Sequence, residues 1–319
     1  MGEALRYAVL IPCLNEEATI RKVIEDFRRV LPEAEVYVFD NNCTDRTAQI
    51  AREAGAIVER ETRQGKGHVV RAMFEKVEAD IYVLVDGDDT YPADALPSLL
   101  EPAVSGEADV VVGSRLEQAG RGSLKAVNRF GNRVLGRVFN FCFRAKFRDL
   151  LSGYRVMTRD FVKHIPVITY GFDVETGLAI QSIVNGYVVK EVPIHYRERP
   201  EGSVSKLRPF ADGYRILKTM LGALIDFRPV WLFTIATVKL LVVALGLGIA
   251  AALVRNSSTT LYLTVFCCVF VLLAALSASL GVILKVITIK HLEYMSVWRK
   301  RGTRAEGIEE DARRRSRDA

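Results

Sequence analysis

Two stretches near the C-terminus constrain this chain more than anything else in it. Val230–Val254 and Leu261–Ile289 are almost wholly apolar, and each exceeds the ~20 residues a helix needs to cross a bilayer. Core helices of soluble proteins are rarely so long and so apolar, so the pattern predicts two membrane spans. Only RNSSTT, Arg255–Thr260, separates them. That makes a tight helical hairpin with both long flanks on one side. The flanks are basic: Arg197, Arg199, Lys206, Arg208, Arg215, Lys218 and Arg228 before, Arg299, Lys300 and Arg301 after. Retained Lys and Arg mark the cytoplasmic side. The expectation is a multi-pass protein of the inner membrane, or its equivalent, with both termini cytoplasmic. The start MGEALRYAVLIP has an acidic residue and no small-residue cleavage site, so it does not read as a signal peptide.

The 319 residues allow four regions: a domain over 1–206, an amphipathic interfacial region over 207–228, the two spans within 229–290, and a charged tail over 291–319, read as disordered after Gly302. The net charge of +6 comes from basic residues crowded beside the spans, which favours membrane lipid over nucleic acid as the partner. Five cysteines show neither metal nor disulfide spacing and fit a reducing compartment. Small residues in the hairpin (Gly246, Gly248, Ala250, Ala274, Ala275, Ser277) would allow homo-oligomers.

The first ~115 residues alternate strand and helix patterns. Tyr7–Pro12, Glu35–Asp40, a short strand in AIVER, Ile81–Asp86 and Asp109–Arg115 read as strands. Helices follow at Ile20–Leu31, at a segment capped by Thr44 and running to Ala54, after QGKG, and over Pro92–Ala103. Continuous apolar strands alternating with helices predict an α/β fold with a mostly parallel sheet covered on both faces. Beyond it, Val127–Phe143 and Asp173–Asn185 read as helices and Tyr154–Met157 as a strand. VVKEVPIHYRERP reads as a late strand that leaves the sheet. Lys206–Phe227 has Phe210, Tyr214, Leu217, Leu221, Leu224 and Ile225 on one face, the pattern of a helix lying in the membrane interface.

Ligands of such sheets sit at the carboxyl ends of the strands. Pro12, Asp40, Asp86 and Arg115 each end a different strand and should meet in one crevice. There the segment VDGDDTYP sets Asp86, Asp88 and Asp89 within four residues. Like charges so close repel unless a cation sits among them. Gly87 lets backbone approach a ligand, and carboxylate oxygens completed by waters and phosphates suit Mg²⁺ or Mn²⁺. GKG is not a Walker loop, having no Gly five residues before it and no Ser or Thr after the Lys; it is either a donor contact at Lys66 or a turn opening a helix. Glu175 is either solvated or part of the site. His68, His164 and His195 have no ligand spacing.

Taken in order, IPCLNEEATI, VFDNNCTDRT, GKG, VDGDDTYP, GSR, RDLLSGYRV, GFDVE and VPIHYRERPEGSVSKL resemble the family 2 glycosyltransferases of the GT-A (Rossmann-like) fold. With the two C-terminal spans the resemblance is to the polyprenyl-phosphate glycosyltransferase group, which includes dolichyl-phosphate mannose synthase. It implies that Pro12, Leu14, Asn15, Glu16, Phe39, Asp40 and Asn41 hold the base and ribose of a nucleotide-sugar, with Lys66, Gly87 and Glu175 as further donor contacts. Asp86 and Asp88 would bind metal and diphosphate, Arg115 would grip donor phosphate, and Arg199, Ser205 and Lys206 would grip lipid phosphate or diphosphate. Asp149 would orient the acceptor or a sugar hydroxyl, completing a catalytic set of Asp86, Asp88, Arg115 and Asp149. The chain departs from the family at Asn41 and Leu14, which stand where Asp and an aromatic are usual. It departs again at Thr90, which replaces a Gln that helps hold the metal in some relatives and so becomes the candidate third ligand.

The implied reaction is inverting, metal-dependent transfer of a sugar from a nucleotide-sugar to a polyprenyl phosphate, undecaprenyl or dolichyl, giving a glycolipid for cell-envelope glycan or glycoprotein synthesis. A lipid phosphate is ionised at neutral pH, so positioning replaces a strong base. The rivals are a transferase with a non-polyprenyl acceptor, such as a polysaccharide synthase, whose Q-x-x-R-W motif is absent, and a non-catalytic scaffold.

Overall fold

Runs of β-branched residues build the centre of the sheet. β1 (Tyr7–Cys13), β4 (Ile81–Leu84) and β5 (Val110–Ser114) are almost wholly buried, as expected for strands covered on both faces. The computed structural model describes residues 4–115, 126–167, 171, 173–200, 206, 209–254 and 256–317, with backbone alone at 126–128, 209–210, 291–292 and 295–317. The chain forms two compact units that divide between Met220 and Leu221.

In the first unit the strands and helices alternate as the pattern predicts. α1 (Ile20–Val30) buries Ile20, Val23, Ile24 and Phe27, one stripe at helical spacing, in the main core. β2 (Glu35–Asp40), α2 (Thr47–Glu53), β3 (Ile57–Arg60) and α3 (Lys66–Lys76) follow. Thr44 is not the cap of α2. Asp45 does that work, accepting from Thr47 N at 3.0 Å and Thr47 Oγ1 at 2.5 Å, while Thr44 N donates to Asn15 Oδ1 at 2.8 Å. After β4 come a 3-10 turn (Ala93–Ala95), α4 (Leu96–Val104) and β5; then α5 (Ala126–Phe143), β6 (Arg155–Thr158), α6 (Arg159–His164), α7 (Val174–Val184) and β7 (Val189–Pro193).

The sheet order is β3-β2-β1-β4-β6-β5-β7. Every pairing is parallel except those of β6, which runs antiparallel between β4 and β5. β7 does not leave the sheet: it pairs with β5 from Val110↔Val189 to Ser114↔Pro193, and the chain departs only after Pro193. The first part of α8 (Pro209–Phe227) belongs to this unit, where Thr219 Oγ1 donates to Asp173 Oδ2 at 2.8 Å.

The second unit is the hairpin. α9 (Pro229–Leu253) and the first part of α10 (Ser257–Arg317) are long and apolar enough to cross a membrane, with mean hydropathies of 2.3 and 2.6. Small residues make the seam between them. Ala244 and Ala274 are buried, Cys267 Sγ donates to Ala244 O at 3.2 Å, Ser277 Oγ donates to Phe233 O at 3.3 Å, and a methyl on Gly281 would meet Phe233 at 2.7 Å. Ala274 and Ser277, offered by the sequence to a second copy, are thus spent within the chain; Gly246 is left on open surface. The tail expected to be disordered continues α10 to Arg317.

Candidate active site

The strand order reverses between β1 and β4, the point at which sheets of this kind form their ligand crevice. Cys13 ends β1, Asp40 ends β2, Asp86 lies two residues past β4, and Arg115 follows β5 directly. Because β6 is antiparallel, it begins at this same edge. Asp149, Ser152 and Gly153 are delivered there by the chain entering it.

The acidic turn is anchored on several sides. Val85 N donates to Leu10 O at 3.1 Å, and Thr19 Oγ1 donates to Gly87 O at 2.7 Å. Gly87 is needed for close packing, since a Cβ there would lie 2.9 Å from Cys13 Sγ. Asp86 Oδ1 accepts from Lys66 Nζ at 2.6 Å, and the same ammonium reaches Glu175 Oε1 at 2.5 Å. Burial opposes the charge on Lys66, but the two carboxylates more than offset it and push its pKa up. Asp88 is buried. Its Oδ2 pairs with Arg199, and its Oδ1 accepts from Thr90 N at 3.1 Å and Thr90 Oγ1 at 2.5 Å. Burial and the Asp86 charge push the Asp88 carboxyl up against the pull of Arg199. Thr90, offered as a third metal ligand, instead has its hydroxyl committed to orienting Asp88. Asp89 sits at φ +56° and points away, to Lys22 at 2.8 Å and Arg197 at 3.3 Å.

Arg115 is preset. Its Nε and NH2 donate to Asp149 at 2.8 and 2.9 Å, its backbone N donates to the same carboxylate at 2.9 Å, and its guanidinium lies 5.5 Å from the centre of the Tyr196 ring. Asn132 Nδ2 supplies a fourth donor to Asp149 at 2.7 Å. Burial alone would raise the Asp149 carboxyl; Arg115 outweighs it and holds the group below its usual value. With each oxygen already accepting two bonds, Asp149 positions Arg115 and has no capacity left for an acceptor or sugar hydroxyl.

On the side of β1 and β2, Lys206 pairs with buried Glu16 and donates to Asn15 O at 2.9 Å. Asn15 is exposed at φ +52°; Pro12 and Leu14 are half-buried. Asp40 Oδ1 accepts from Cys43 N at 2.7 Å. Two expected base contacts are occupied elsewhere. Phe39 is fully buried, with Lys76 Nζ 5.9 Å over its ring. Asn41 donates to Glu61 O at 2.9 Å and Arg63 O at 2.8 Å and accepts from Gly65 N at 2.8 Å. It therefore braces the loop that begins α3 at Lys66. Ser205 lies outside the described residues.

Three contributors escape sequence reasoning. Gly153 abuts Asp86, whose Oδ2 a methyl at 153 would approach to 2.6 Å. Tyr91 OH accepts from Gly153 N at 2.8 Å, and its ring stands 5.3 Å from that of Tyr196. Arg155 is fully buried and donates to the carbonyls of Leu150 at 3.1 Å and Glu175 at 2.9 Å, tying β6 to α7; burial lowers its pKa. The only sequence signal was a glycine just before a strand in LLSGYRV, which marks a close backbone approach.

Among the described residues no three His, Cys, Asp or Glu side chains group as a complete metal cage. The donors present still fit a hard divalent cation. Asp86 and Asp88 offer carboxylate oxygens beside one another, and such ions keep water and phosphate oxygens as their remaining ligands.

The family described as Glycosyl transferase family 2 matches residues 8–165. The glycosyltransferase AglJ of Haloferax volcanii is 36% identical over 243 residues, covering 76% of this chain and 79% of the relative. The dolichyl-phosphate hexose transferase of Haloferax volcanii is 35% identical over 222 residues, covering 69% of this chain and 95% of the relative. Glucosyl-3-phosphoglycerate synthase from Mycobacterium tuberculosis, crystallised with Mn²⁺, UDP-glucose and phosphoglyceric acid, aligns with a TM-score of 0.57 at 23% identity, over 69% of this chain and 80% of that one. At that identity the likeness speaks for the fold: a GT-A-like, mostly parallel sheet.

Proposed function

The chain belongs to glycosyl transferase family 2, and from that premise we propose that it moves a sugar from a nucleotide-sugar to the phosphate of a polyprenyl phosphate, inverting the anomeric carbon. The observation that carries this reading is a pair of contacts. Arg199 and Lys206, on the segment that leads to the apolar helices, reach back to Asp88 and Glu16 in the crevice. A lipid phosphate held by those cations would stand beside the sugar to be transferred. A relative named for a dolichyl-phosphate acceptor supports the same choice.

Glu16, Asp40 and the backbone around Pro12 and Leu14 line the base and ribose side. Arg115, fixed by Asp149, keeps its remaining N–H groups for the donor phosphates. Asp86 and Asp88 would hold Mg²⁺ or Mn²⁺, which offsets the negative charge gathering on the departing diphosphate. The acceptor phosphate is already ionised, so Arg199 and Lys206 serve by aligning it opposite the leaving group, and a single in-line displacement inverts the centre. The reading gives a catalytic domain over 1–206, an interfacial α8 and a hairpin at the cytoplasmic membrane face.

The test uses membranes containing the full chain, a panel of labelled nucleotide-sugars, and undecaprenyl or dolichyl phosphate. Label should appear in the organic extract, vanish with EDTA and return with Mn²⁺ or Mg²⁺. Aqueous polymer would point to a synthase, and no transfer from any donor to a scaffold.

A further inference from the structure

Lys66 occupies ground that an arriving metal needs. Its ammonium lies between Asp86 Oδ1 and Glu175 Oε1, at 2.6 and 2.5 Å, and its side chain is only 11% exposed. Lys66 opens α3 directly after Gly65, whose φ of +132° suits glycine and whose N–H is held by Asn41. The ammonium is thus delivered by a braced turn. Asp86 has little freedom on its other side, because Oδ2 lies against Gly153. Anything that takes Asp86 must draw Oδ1 away from Lys66 or share it with a positive charge in contact.

We infer that Lys66 is a resident counter-ion for Asp86, so that free metal binds poorly and metal enters with the nucleotide. With no donor bound, Lys66 neutralises Asp86 and repels a dication. When metal and a nucleoside diphosphate arrive together, the phosphates supply the negative charge that lets ammonium and dication coexist, and Lys66 moves from Asp86 toward the diphosphate with Glu175 as its pivot. Lys66 is then a positioning and ordering residue. This rests on Asp86 being a metal ligand, as in the proposed function. A purely structural tie between α3 and α7 gives a different pattern, since breaking such a tie weakens all ligands together.

The experiment reads binding. Mn²⁺ affinity of the purified full chain is measured by electron paramagnetic resonance, without nucleotide and with saturating UDP or GDP. In the wild type, whichever nucleotide binds should tighten Mn²⁺ about tenfold or more. In Lys66→Met, Mn²⁺ alone should bind about tenfold tighter than to wild type, while nucleotide affinity in the presence of Mn²⁺ falls. Lys66→Arg, which keeps the charge, should stay near wild type for Mn²⁺ alone. The inference is overturned if Lys66→Met binds free Mn²⁺ no tighter, or if neither nucleotide cooperates with Mn²⁺ in the wild type; the wild-type arm decides even where no variant folds. A wild type that makes glycolipid without Mn²⁺–nucleotide cooperativity sinks the inference alone. One that shows the cooperativity but transfers no sugar sinks the acceptor assignment alone.

Discussion

Asp149 is a buried carboxylate whose partners are all visible, so its removal has a definite sign. Asp149→Ala strands the Arg115 guanidinium in a buried site, a change that costs about 3–5 kcal/mol, and thermal unfolding in detergent should show a clear fall. Asp149→Asn keeps the shape but loses the charge. Since Arg115 holds the folded Asp149 below its ordinary 3.8, the stability it lends is complete above that value and is lost as pH falls through the lower folded value. The wild type should therefore lose stability on acidification below about pH 4 more steeply than Asp149→Asn; parallel acid limbs would refute the pairing. Gly153→Ala should displace Asp86, and a shift of about 1 Å at such a site costs about 100-fold in rate. Transfer assays should show that loss in kcat, with nucleotide affinity in the absence of metal unchanged. The acidic turn was legible because carboxylates crowded at the end of a buried strand repel one another and call for a cation. What Thr90, Asn41, Phe39 and Asp149 do was not, because spacing assigns a residue to a loop but not the direction of its side chain. Asn41 and Phe39 share a strand end with Asp40, yet one braces a loop and the other fills the core.

Among the elements, β6 was readable as a strand while its direction was hidden, because alternation with period two looks the same both ways. Its antiparallel insertion explains why Gly153 and Asp149, far from Asp86 in sequence, complete the crevice. α8 shows a related ambiguity. Of the apolar positions read as one face, Tyr214, Leu217, Leu221 and Ile225 are 72%, 48%, 51% and 39% exposed, whereas Leu224 turns inward and joins Ile216, Met220 and Ala223 in a second, buried face. An exposed apolar stripe beside a helix apolar enough to cross a membrane suits the headgroup boundary. Leu217→Glu with Leu221→Glu should lower transfer to a long-chain acceptor in bilayers about tenfold or more. Transfer to a short, water-soluble polyprenyl phosphate should be spared. Equal losses with both acceptors would mean that the stripe serves folding and not the interface.

For the whole molecule, a hairpin that spans a membrane would decide on which side the chemistry happens. Only 6% and 11% of the most apolar windows of α9 and α10 are buried, so their outward faces are apolar surface that lipid would cover. Three residues, 254–256, separate the two helices. If both helices span, the crevice-bearing unit and the stretch after Lys290 must share a compartment, and on the proposed function that compartment would be the cytoplasm, as the basic flanks predict. The prediction is read with an impermeant maleimide on intact cells, in a chain whose five cysteines (Cys13, Cys43, Cys142, Cys267, Cys268) are replaced. Asn256→Cys should label without permeabilisation. Lys290→Cys, at a position whose native side chain is 72% exposed, should label only after it. Labelling of position 290 from outside would reverse the topology, place the crevice away from cytoplasmic nucleotide-sugars, and remove the basis for a polyprenyl phosphate glycosylated at the inner face.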